Sequence, residues 1–271
     1  MSKNTTEEIK IENQEIKPSG EGEKQTNQNL FKEGDPEPFM FDHPNYRIIK
    51  IPTERTYSFY LATNSTIVGT VDINGVTKIG DGGTTNYSEF EADGTLEFIG
   101  SATVWKDINL GSASLGAGAT APDLVQVGTS GVFLRGFDGA ATTEQLFFEL
   151  ELQHDYKEGS DITFHIHNLA STTDVGNVNW QLSYIISRSG DTTSSATTIS
   201  KVQAYDGTQW KRYRTDFTAI TGTNFKTGDQ IICRLFRDPT ASDTYGADAL
   251  VETVGFHYEC DTVGSRTITS K

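Results

Sequence analysis

In QLFFELELQ, residues 145–153, Leu146, Phe148, Leu150 and Leu152 alternate with Phe147, Glu149, Glu151 and Gln153. A period of two over nine residues suits an extended strand with one apolar and one wet face, and it suits little else. NVNWQLSYIIS repeats the device: Val178, Trp180, Leu182, Tyr184 and Ile186 point one way, and Asn179, Gln181 and Ser183 the other. DITFHIH, QIICRLFR and ALVETVGFHYEC supply three more strands, set apart by loops rich in Gly, Ser, Thr and Asp. No stretch carries a capped helical stripe, so alternating βαβ architecture is not expected. One-faced strands must bury that face against another sheet. Residues 101–271 therefore predict an all-β, antiparallel β-sandwich, jelly-roll-like in the first instance and immunoglobulin-like in the second.

The chain ahead of this region is thinner. Residues 46–100 read as a β-rich neck of short pieces between glycine turns: IIKI, YSFYLA, STIVGTVDI, GVTKIG, YSEFEADG and TLEFIG. Pieces this short bury too little apolar surface to offset their chain entropy, so pairing between identical chains is expected, a homotrimeric stalk first and a dimer second. The alternative is an outer sheet of the following domain. Residues 1–45 are rich in Glu, Lys, Asn and Gln, are broken by Pro18, Pro36 and Pro38, and read as an extended tether. Its apolar residues Phe31, Phe39, Met40 and Phe41, with Tyr46 just beyond, are the expected anchor, since leaving a large apolar side chain in water forgoes about 1.5–3 kcal/mol.

A formal net charge of −15 opposes a phosphate backbone, so nucleic acid is not an expected partner. Anionic membrane surfaces are disfavoured likewise, and no apolar run approaches the roughly 20 residues that span a bilayer. The first residues, MSKNTTEEIKIENQEIK, lack the apolar core of a signal peptide, which predicts synthesis and initial residence in the cytoplasm. Cys233 and Cys260 lie in apolar runs without CxxC spacing and are expected as buried thiols.

Three constellations carry potential chemistry. His165 and His167 alternate on DITFHIH and share a sheet face, and His257 joins them if its strand is a neighbour, which gives a candidate metal site. The spacing from Gly159 resembles the opening of a cupin metal motif, but Asn168, Leu169 and Ala170 stand where its Glu belongs. Tyr205, Trp210, Arg212, Tyr213 and Arg214 form the densest aromatic and basic cluster and are the candidate contact for a host-surface glycan. A strand with its aromatics in the core and its cations in solvent gives the same letters. Asp238, Asp243 and Asp248 punctuate FRDPTASDTYGADA, where turn chemistry is favoured over calcium. GxSxG, HExxH and P-loop patterns are absent, so neither an enzyme nor a cofactor is expected.

The stretches DGTLEFIGSATVWKDI, HDYKEGSDITFHIH, CRLFRD and FHYECDTVGSR resemble a domain of virion structural proteins of tailed bacteriophages, variously head-fibre or tail-associated, over about the last two thirds of the chain. The resemblance implies a non-enzymatic virion protein, a head fibre or capsid decoration anchored by its N-terminal segment and projecting a knob. Its partners would be capsid or tail proteins and copies of itself, and it would sit on the virion surface. A tail-associated receptor- or glycan-binding protein for host attachment is the alternative, and a cupin-like metal-binding protein the second.

Overall fold

The computed structural model describes residues 76–81, 85–140 and 143–268, together with the backbone of four strands ahead of them. Strands β1 (Met40–His43), β2 (Tyr46–Ile51), β3 (Thr56–Leu61), β4 (Ile67–Asp72), β5 (Thr77–Gly80), β6 (Tyr87–Phe90) and β7 (Leu96–Ile99) form one antiparallel meander in sequence order. The anticipated neck is thus a sheet in its own right, and it begins at Met40, ahead of Tyr46. Of the expected anchor, Met40 and Phe41 belong to the backbone of β1 and Tyr46 to that of β2, whereas Phe31 and Phe39 lie outside the described residues.

Registers β5–β6 and β6–β7 place Thr77, Ile79, Ser88, Phe90, Leu96 and Phe98 on one face of this sheet, because directly opposed residues point the same way. Among the described residues nothing covers that face fully: Ile79 is 54% and Phe90 43% exposed. The other face is polar, with Lys78 3.2 Å from Glu89 and its ammonium 4.7 Å from the Tyr87 ring centre. The meander meets the rest of the molecule where the Phe98 N–H donates to the Asp261 carbonyl at 2.6 Å. It then turns at Gly100, whose φ of +62° and whose place against the Thr85 carbonyl, 2.1 Å from where a Cβ would stand, admit only glycine.

Eleven strands follow: β8 (Val104–Gly111), β9 (Gly116–Ala117), β10 (Asp123–Gln126), β11 (Phe133–Phe137), β12 (Gln145–Glu151), β13 (Thr163–Ala170), β14 (Val175–Ser187), β15 (Thr197–Asp206), β16 (Arg212–Asp216), β17 (Gln230–Arg237) and β18 (Ala249–Cys260). Their pairing is nested: β14 with β15, β13 with β16, β12 with β17 and β11 with β18, all antiparallel. Four strands doubled back on four and rolled up give two sheets, ordered β11-β18-β13-β16 and β12-β17-β14-β15. This is the jelly roll. Strand β8 extends the first sheet by pairing with β18 beyond the reach of β11, and β9 extends the second beside β12. Among the described residues no helix is long and apolar enough to cross a membrane.

The alternating runs do what their period demands. Leu146, Phe148, Leu150 and Leu152 are buried, as are Val178, Trp180 and Leu182, facing Phe164, Ile166, Val254 and Phe256 of the other sheet. Phe148 and Phe164 stack across the interface at 5.8 Å, and Phe137 meets Trp180 edge-on at 5.3 Å. Cys233 and Cys260 are buried on β17 and β18, in opposite sheets. On β14 one wet-face residue departs from the pattern. Asn179 is buried, because the β17–β18 loop folds over it: its amide donates to the Ala241 carbonyl at 2.8 Å and its N–H to Asp243 at 2.9 Å.

Candidate functional site

The outer face of the first sheet is polar, and its strand order gathers residues far apart in sequence. In register across β8, β18, β13 and β16, one row reads Asp107, His257, Thr163 and the next Asn109, Gly255, His165, Asp216. A third row brings Thr253, His167 and Arg214 together. Phe164, Ile166, Val254 and Phe256 alternate with these residues and fill the core, which fixes the three histidines outward.

His165 faces outward and is nevertheless 0% exposed. The reason is Gly255. A Cβ there would stand 2.5 Å from His165 Cε1, 2.7 Å from its Nε2 and 2.4 Å from Asn109 Oδ1, so only glycine lets the imidazole lie down across β18. His257 then stacks on it at 4.5 Å with 29° between the planes, and His167 closes edge-on at 5.1 Å. Burial drives the His165 pKa down to about 4, against a smaller opposing pull from Asp107. Burial, followed by the nearby Arg212 guanidinium, also lowers His167.

The ring edges are short of partners. Both nitrogens of His165, Nδ1 of His167 and Oγ1 of Thr253 are buried without a hydrogen bond. Three adjoining residues thus hold four unpaired polar atoms, each worth about 1–3 kcal/mol in forgone hydration. His257 Nε2 lies 3.1 Å from Arg214 Nη2. A guanidinium has no acceptor, so this bond makes Nε2 the acceptor and puts the ring proton on Nδ1. Arg214 also pairs with Asp216 at 2.7 Å, and Asp107 lies 3.9 Å from His257. Asp107, His165 and His257 each offer a ligand atom within 4.8 Å of the others. Sequence reading pointed to the three histidines; it missed Asp107, whose position depends on β8 joining β18.

Trp105 stands on the same face of β8, two residues before Asp107, and is 62% exposed. It too went unsuspected as a contact residue.

The aromatic and basic cluster expected around Tyr205 does not form a single surface. Tyr205 is 1% exposed, donates to Asn168 Oδ1 at 2.6 Å and packs on Tyr213 at 4.8 Å and Tyr245 at 4.8 Å. It therefore offers no ring to a ligand. Alternation along β16 turns Tyr213 towards the core, with its hydroxyl on Asp206, and turns Arg212 and Arg214 outward to Glu252 and Asp216. Trp210 is half-buried in a left-handed turn, with φ of +62°, its N–H on the Ala170 carbonyl. Asp238 caps its own turn through the Thr240 N–H, whereas Asp243 points inward to Arg237.

No family model and no curated protein matches the chain. Solved structures are similar over parts of it. The dimeric latent PorU of Porphyromonas gingivalis aligns over 59% of this chain and 13% of its own, at 6% identity and a TM-score of 0.32. The CBM22-1–GH10 modules of Clostridium thermocellum endo-1,4-beta-D-xylanase 10B, complexed with xylohexaose, align over 59% and 27%, at 13% identity and a TM-score of 0.31. The exo-beta-1,3-galactanase of Phanerochaete chrysosporium, with galactose, aligns over 81% and 67%, at 10% identity and a TM-score of 0.35. The chain thus spans well under a third of the first two proteins.

Proposed function

We propose that this chain is a non-enzymatic structural protein of a tailed-phage type of virion, in which the meander assembles copies and the jelly roll is displayed. The observation that carries this reading is the coupling of a sandwich to a meander sheet whose apolar face is only partly covered among the described residues, with Ile79 54% and Phe90 43% exposed. A sheet of that kind is completed by another copy, and the sequence resemblance supplies the virion setting. In this reading the segment from Phe31 to Tyr46 grips the particle. Light scattering on the full chain and on a version beginning at Ser101 tests it. The full chain is expected to be trimeric and the shortened one monomeric. A monomer at both lengths removes the assembling role.

A second reading, a glycan-binding face for host attachment, is favoured by Trp105. An exposed indole beside Asp107, Asn109 and His257 pairs a stacking platform with hydrogen-bonding edges, the chemistry that suits a sugar ring. The full chain is expected to bind immobilised host-surface polysaccharide, and Trp105→Ala to abolish that binding while Trp210→Ala leaves it. Equal binding by wild type and Trp105→Ala would dismiss this face as the contact.

A further inference from the structure

We propose that Asp107, His165 and His257 bind one first-row divalent transition-metal ion, which ties β8 to the β18–β13 pair. The site goes beyond the assembling role and stands on independent observations. Two imidazoles and one carboxylate are the donor set that zinc and its neighbours accept, with room for solvent ligands. Three separate strands converge their ligand atoms to within 4.8 Å of one another. Neighbouring ligands of a tetrahedral ion stand about 3.4 Å apart at metal–ligand lengths near 2.1 Å. Closure therefore asks for ligand atoms to approach by up to about 1.4 Å and for His257 to turn out of its stack on His165, since an imidazole lone pair lies in the ring plane; Asp107, exposed on its strand, has the rotamers to follow.

The second observation is the orphaned ring of His165. A fully buried imidazole with neither nitrogen hydrogen-bonded is costly, and the space left by Gly255 holds this one with its face against His257, so that a turn of His257 out of the stack brings the two ring edges towards a shared ion. A coordinate bond to one nitrogen satisfies the group that packing leaves bare. His257 is prepared in the same way, since the contact with Arg214 already fixes its Nε2 as the lone-pair nitrogen. Arg214 opposes the ion, being a cation on the same nitrogen. Its second partner, Asp216 at 2.7 Å, gives it a place to swing when the ion takes Nε2.

The clamp lies where the chain passes from the meander into the sandwich. Strand β8 follows β7 directly, and Asp107 is the ligand it contributes. Metal bound to the folded form alone therefore stabilises, by mass action, the attachment of β8, the sandwich strand that comes next after the meander.

The test is calorimetric titration of the full chain with zinc chloride, repeated with cobalt(II) to read the visible absorption of the bound ion. Wild type is expected to take up one equivalent and to melt at a higher temperature when loaded. Asp107→Asn and His257→Gln, both at accessible positions, are expected to weaken binding at least about tenfold, since even the outer-shell partners of a bound metal are worth that much. His154→Gln, away from the cluster, is expected to bind as wild type does, and Arg214→Gln to bind more tightly. Circular dichroism without metal confirms that each variant is folded. Absence of binding to wild type, or equal affinity in wild type, Asp107→Asn and His257→Gln, overturns the site and shows any uptake to be adventitious.

Discussion

Replacing Asp243 with alanine is expected to destabilise the sandwich by about 3–5 kcal/mol, the cost of leaving a buried charge without its partner. Arg237 and Asp243 are 1% and 2% exposed and meet in a two-pronged pair, Nε to Oδ2 at 2.8 Å and Nη2 to Oδ1 at 2.7 Å. The guanidinium also donates to the carbonyls of Phe137 at 3.0 Å, Ala247 at 2.8 Å and Tyr245, so its donors are used up. Asp243 in turn accepts the Asn179 N–H at 2.9 Å. The pair thus staples the ends of β11 and β17, and β14 at Asn179, to the loop entering β18. At this domain size the loss corresponds to a fall of about 6–20 °C in melting temperature. The companion variant Arg237→Met with Asp243→Leu removes both charges yet bares three carbonyls, so it is expected to recover only part of the loss. A melting temperature for Asp243→Ala within a degree or two of wild type would show that solvent reaches the pair.

That same loop shows where sequence reading stops. In FRDPTASDTYGADA three aspartates look alike, and turn chemistry describes Asp238, which holds the Thr240 N–H at 3.0 Å. Nothing in the letters marks Asp243 as the partner of an arginine six residues back, because that depends on the loop folding over β14. The burial of Asn179, placed by period alone on a wet face, has the same cause. By contrast, Leu146, Phe148 and Leu150 could be assigned to the core from alternation, since strand geometry imposes the period whatever the partner.

The outer face divides in the same way. His165 and His167 share a side by period, and that much is local. Their meeting with His257 and Asp107 follows from β18 lying between β13 and β8, an order the nested jelly-roll pairing imposes and alternation does not encode. The readable hint for β8 was its own alternation, with Ile108 and Leu110 turned inward and Asp107 and Asn109 outward. The cluster from Tyr205 to Arg214 misled for a related reason. Density along the chain is not density on a surface, and a strand sends neighbours to opposite sides.

Raising the pH is expected to unfold the sandwich between about pH 10 and about pH 12, through phenols that packing holds protonated. Tyr156 is fully buried, its hydroxyl donating to the Ser160 carbonyl, and burial pushes its pKa up to about 12. Tyr258, which donates to Asp155 at 3.1 Å, is raised by burial and then by that carboxylate. Tyr205, against Tyr245 in the core, is raised by burial well above the ordinary range. A folded-state pKa above the unfolded value means stability that is complete below about pH 10 and lost as the pH climbs, because the unfolded chain then gives up protons the folded one retains. Tyr156 alone accounts for about 3 kcal/mol across its two-unit window, and the other two add to it. Such a sum rivals the whole stability of a domain. Denaturant melts followed by circular dichroism, with phenolate absorbance read in parallel, are expected to show the buried tyrosines ionising together with unfolding. Tyr156→Phe should flatten the slope above about pH 10, at a neutral-pH cost of about 1 kcal/mol for the lost hydrogen bond. Stability that stays level up to about pH 12 would mean that these hydroxyls ionise within the native fold.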